Sequence, residues 1–137
     1  MKKYVVDASV ILTEVLDSRK ELSDSIKKYL ISAEKGKIEL YSSEFLKMEV
    51  ANGIRFNEKD ISKARKILRI SLKLPIKFIL LDPAIYEESL SISFKLGTTV
   101  YDTSYHILAK AQNATFLTCD EEYYKKAKSL GDIELIR

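Results

Sequence analysis

Cysteine, histidine, glycine and proline are all scarce here: 137 residues hold one Cys, one His, four Gly and two Pro. The lone thiol, Cys119, forms no internal disulfide and reads as a buried, reduced side chain rather than a nucleophile. A single imidazole, His106, excludes multi-histidine zinc sites and argues against a Cys/His one, so metal chemistry falls to oxygen ligands. With no Gly/Ser/Pro-rich linker and no internal repeat, residues 1–137 read as one domain. Nowhere do about 18 consecutive apolar residues occur, which argues against a membrane-spanning helix. The opening MKK followed by apolar residues resembles a signal peptide, but Asp7 and Glu14 interrupt the stretch, so a cytoplasmic location is expected. Charge of one sign is not in large excess either: a net +3 permits RNA contact without demanding it.

What is present suits a globular fold. Hydrophobic residues make up 46% and charged residues 31%, enough to build a core without disulfides or a structural metal. Short apolar runs recur at KYVV (3–6), IEL (38–40), IKFILL (76–81), ATFL (114–117) and IELI (133–136), with amphipathic stretches of helix length between them. The alternation predicts an α/β fold, a central parallel sheet of about five strands covered by helices on both faces in three α/β/α layers. One helix starts near Ser9, one covers Leu22 to Glu34, and SSEFLKMEVANGI supplies a third with Ser42 or Ser43 as cap. A basic amphipathic helix follows in EKDISKARKILRISLKL, stopped before Pro75. Pro83 opens another that Gly97 ends, and two more start near Asp102 and Asp120.

Four acids stand apart from those on solvated helical faces. Asp7 follows the first strand and Asp120 the fourth, so both emerge at the carboxyl edge of a parallel sheet, where ligands bind as strand order reverses. Asp102 opens the helix that leads into the Asp120 strand. Glu49 lies mid-helix on the face of Phe45, Leu46 and Asn52, about opposite Lys47. Taken singly, each aspartate is accounted for as a helix N-cap and Glu49 as a snorkelling side chain. Taken together, converging carboxylates without an adjacent Lys or Arg repel one another unless a cation is present. Mg²⁺ or Mn²⁺ prefers such oxygen donors, and a carboxylate-held ion with open positions suits phosphodiester hydrolysis.

The stretches VVDASV, MEVANG, VYDTSYHILA and FLTCDEEYYKKAK occur in an order and spacing that resembles the PIN-domain ribonucleases, and among them the VapC toxins of type II toxin–antitoxin pairs. The resemblance covers nearly the whole chain, although residues 55–97 contribute no motif. It implies a PIN fold, with Asp7, Glu49, Asp102 and Asp120 lining one Mg²⁺ or Mn²⁺ site. Ser9 and Thr118 resemble hydroxyl positions that support the acids from behind, and Asn52 matches the polar residue after the helical glutamate. It further implies endoribonuclease action on tRNA or rRNA, a VapB-like antitoxin partner and a homodimer. The alternatives within this resemblance are an RNA-processing nuclease outside a toxin–antitoxin pair and a non-cleaving module that binds RNA or protein.

Two further residues are lesser candidates. Glu121 follows Asp120 in a first helical turn, where acids are favoured by the macrodipole anyway. His106 is four residues after Asp102 on one face, a position more often filled by a packing residue. From Lys59 to Lys77 seven lysines and arginines recur, a possible phosphate track or simply a solvated face. Haloacid-dehalogenase-like phosphatases also place an aspartate after the first strand, but need another acid where Ser9 stands. Receiver domains need a lysine after a late strand, and none is present.

Overall fold

The computed structural model describes residues 1–16 and 19–137. The strands are β1 (Lys2–Val6), β2 (Ile38–Ser43), β3 (Lys77–Ile79), β4 (Thr115–Thr118) and β5 (Ile133–Leu135). The helices are α1 (Ala8–Leu16), α2 (Lys20–Glu34), α3 (Phe45–Asn57), α4 (Ile61–Ser71), α5 (Pro83–Leu96), α6 (Val100–Ala111) and α7 (Glu121–Ala127), with a 3-10 turn at Lys128–Leu130.

All strands run parallel in the order β3-β2-β1-β4-β5. The chain builds outward from β1 through β2 to β3, then returns to add β4 and β5 on the other side. Strand order therefore reverses between β1 and β4, and a crevice opens there at the carboxyl edge. These two strands are buried on both faces: Val5 and Phe116 are fully covered and Leu117 joins them, each contributing about 1.5–3 kcal/mol. Helices cover both faces as expected, α1 to α4 packing on one another and α6 lying across β4, β1 and β2.

Two local expectations are corrected. Ser42 and Ser43 do not cap α3 but extend β2, where both are buried, and Ser42 Oγ donates to the Val6 carbonyl at 2.7 Å. Asp102 is not the N-cap of α6: Thr99 is, its Oγ1 accepting from the Asp102 amide at 3.1 Å. Gly97 ends α5 at φ 68°, a left-handed conformation that costs glycine nothing, and the chain turns through Thr98 into α6. Gly53 sits inside α3 for another reason, because a Cβ there would collide with the Leu12 side chain on α1.

Candidate active site at the carboxyl edge

Asp7, directly after β1, is the most buried acid among the described residues, at 6% exposed. Its Oδ1 accepts from Ser9 Oγ at 2.5 Å and from the Val10 amide at 3.2 Å, so it caps α1 as a lone helix-start aspartate would. Its Oδ2 accepts from Thr118 Oγ1 at 2.6 Å, across the β1–β4 switch point. Each hydroxyl has one proton and gives it to Asp7. As acceptors the same hydroxyls take the amides beyond β4, Ser9 Oγ from Cys119 at 3.0 Å and Thr118 Oγ1 from Asp120 at 3.0 Å. Asp120 then caps α7 through the Tyr123 amide at 3.0 Å. One hydrogen-bonded chain thus links the two acids that follow β1 and β4.

The other two come from helices. Asp102 is in the first turn of α6 and shares with Asp120 an open cleft of about 350 Å³, whose wall includes Glu122, Tyr123 and Lys126. Glu49, half-buried on α3, accepts a hydrogen bond from the hydroxyl of Tyr105, one turn after Asp102 on α6. Tyr105 is 1% exposed, so a core aromatic of α6 fixes the carboxylate of α3.

The sequence profile of the PIN domain matches residues 4–129. The chain belongs to the PIN-domain family. No curated protein matches it. Solved structures share its PIN fold at low identity. The protein PAE2754 of Pyrobaculum aerophilum is 24% identical with a TM-score of 0.64, over 93% of this chain and 87% of that one. A chain of a toxin–antitoxin complex from Klebsiella pneumoniae is 16% identical with a TM-score of 0.70, over 98% of both. A chain of VapBC2 from Rickettsia felis, bound to a DNA fragment from its promoter, is 18% identical with a TM-score of 0.69, over 97% of this chain and 96% of that one.

In this PIN domain burial and neighbouring charge raise three of the acids. Burial pushes Asp7 up to about 6 against the pull of its hydroxyl and amide donors, and the charge of Asp102 adds to the rise. Burial also raises Glu49, opposed by Tyr105 and reinforced by Asp102. Asp102 is raised by burial and by Asp120. Among the described residues, no three Asp, Glu, His or Cys side chains are gathered tightly enough to chelate an ion as they stand. Their chemistry fits a hard divalent cation nonetheless: every donor is oxygen, and none of the four is in an ion pair among the described residues. One cation does stand at the cleft. Lys126 lines it beside Asp102 and Asp120, but its ammonium donates to the Gly97 carbonyl at 3.2 Å.

The remaining candidates divide cleanly. Ser9 and Thr118 touch Asp7, whereas Asn52 is exposed on α3. Glu121 lines a separate cleft with Arg19, Cys119 and Arg137, and it is Glu122 that shares the Asp102–Asp120 cleft. His106 is fully buried, with Nε2 2.7 Å from the Gly131 carbonyl and Nδ1 2.9 Å from the Tyr123 hydroxyl. A carbonyl only accepts, so Nε2 carries the proton and Nδ1 takes one from Tyr123. Burial lowers its pKa, and the imidazole is a neutral strut between α6, α7 and the turn before β5. Burial pushes the Cys119 thiol up to about 11, which leaves it protonated and unreactive. By sequence Tyr105 has no role beyond one of several tyrosines without a stacking signature, and Glu122 is not singled out. The i, i+3 spacing of Asp102 and Tyr105 was the available signal for the first.

Proposed function

We propose that this PIN domain is a metal-dependent endoribonuclease acting as the toxin of a VapBC-type pair in the cytoplasm, with tRNA or rRNA as substrate and a VapB-like antitoxin as partner. The observation that carries the nuclease reading is the gathering of acids at the sheet's switch point: Asp7 and Asp120 are joined through the Thr118 hydroxyl, and Asp102 and Asp120 line one cleft. The toxin assignment draws support from fold similarity to chains of toxin–antitoxin complexes. The exposed apolar stripe Tyr86, Leu90 and Phe94 on α5 suits pairing with a second copy as a homodimer.

Asp7, Asp102 and Asp120 would hold Mg²⁺ or Mn²⁺, with Glu49 completing the set. When bound, the ion supplies positive charge to the phosphodiester as negative charge grows in its transition state. Ser9 and Thr118 keep both Asp7 oxygens in fixed directions, so this one ligand is already oriented before the others close on the ion. Glu49, oriented by Tyr105, aligns the attacking water and takes its proton. In-line attack leaves a 5′-phosphate and a 3′-hydroxyl.

Purified Asp7→Asn and Asp102→Asn should lose metal-dependent cleavage of a mixed RNA pool, with EDTA as control, while remaining folded by circular dichroism. Full activity in both variants sinks the proposal. Wild-type protein that neither cleaves nor is stabilised by divalent metal would instead be a binding module.

A further inference from the structure

The basic stretch after α3 has no part in the acidic site, and the fold gives it a definite shape. Inward-facing Ala64, Ile67, Leu68 and Ser71 seat α4 against α3 and α1, the helix that carries Glu49 and the helix that Asp7 caps. At about 100° per residue, Lys63, Lys66 and Arg69 fall within about 120° of one another on the opposite side, with Lys59 just before the N-cap Asp60 and Lys73 just after the C-cap Leu72. All five are exposed, and none forms an ion pair among the described residues. Glu34 lines the same cleft as Lys73 without bridging to it. Like charges three and four residues apart destabilise a helix, so the row is a cost that the chain's own packing does not offset. Within α4, Lys63, Lys66 and Arg69 follow one another at about 5–6 Å, a run of cations suited to consecutive phosphates of one strand.

We infer that the exposed face of α4 with its two flanks, from Lys59 to Lys73, is a docking track for the phosphate backbone of the RNA substrate. The inference rests on the ribonuclease reading of the acidic site. It adds a sequence-independent contact on a helix that packs against two of the helices building that site. Point charges on flexible stems bind phosphate without reading bases, so the track supplies affinity and orientation while selectivity lies elsewhere.

The test is binding of a short single-stranded RNA of mixed sequence in EDTA, where cleavage is silent, as a function of salt. Lys63→Gln/Lys66→Gln/Arg69→Gln should bind about tenfold or more weakly at low salt, with the slope of log K against log salt reduced by about 2. The loss should be equal for oligonucleotides of different sequence. Because these side chains are exposed, the unfolding midpoint should stay level or rise. Metal-dependent cleavage of a dinucleotide, too short to reach α4, should be unchanged. An RNA isotherm and salt slope equal to wild type overturn the inference and leave the row to an acidic protein surface; a loss confined to one sequence overturns it too. The two readings fail separately. Wild type that cleaves while the triple variant binds normally refutes the track alone, and wild type that binds through α4 but never cleaves refutes the nuclease alone.

Discussion

Asp7 is a carboxylate placed where water cannot reach it, and its two roles pull apart. Capping α1 favours the charged form, while burial opposes it and prevails, so Asp7 titrates at about 6 rather than 3.8. The folded chain thus holds this proton more tightly than the unfolded chain. The resulting stability is fully present below the ordinary value and is lost as pH rises through about 6. A shift of about two units corresponds to about 3 kcal/mol. In EDTA, the stability of wild type relative to Asp7→Asn should therefore fall between about pH 4 and about pH 7, leaving the uncharged variant the more stable at the upper end. His106 works with the opposite sign, since its lowered pKa gives stability present above 6.5 and lost as pH falls through the lowered value. The difference between the two chains in urea melts isolates Asp7, and a difference that does not change with pH refutes this account.

At the scale of the element, helix starts decide where the acids stand. Asp120 caps α7 as its position after a strand suggests, but Thr99, not Asp102, caps α6, which sets Asp102 one turn in and turns its carboxylate toward the cleft. The position of Asp120 after a strand is legible in the sequence, whereas the offset of Asp102 is not, because Thr and Asp are both good caps and nothing local ranks them. Ser42 and Ser43 likewise read as caps. Only the sheet shows that both are buried in β2, with the Ser42 hydroxyl against the Val6 carbonyl of β1. Gly53 makes a testable case of packing against propensity. Gly53→Ala should gain about 1 kcal/mol of helix propensity but lose it to Leu12. In a Leu12→Ala background the gain should appear, giving a coupling of about 1 kcal/mol in a double-mutant cycle by thermal unfolding. Zero coupling would mean that Leu12 rotates aside freely.

Across the whole molecule, the alternation of short apolar runs with amphipathic stretches was sufficient to anticipate the parallel sheet, since strands buried on both faces must be continuously apolar. Strand order was not readable from it, and that order is what brings Asp7 beside Thr118. The Tyr105–Glu49 contact depends on α3 and α6 meeting in space, which no local pattern encodes. The apolar stripe on α5, with Phe94 82% exposed, carries a prediction about assembly. Leu90→Asp/Phe94→Asp should halve the mass measured by light scattering without lowering helicity, and wild type that is already monomeric would refute the homodimer.

Both rims of the sheet are also unusually brief, β3 and β5 having three residues each. An intruding strand would find too short a template there to gain a foothold, so the molecule is guarded against edge-to-edge aggregation and against capture by strand addition. A protein partner would find more to grip on the side chains of the helices than along the backbone of either rim.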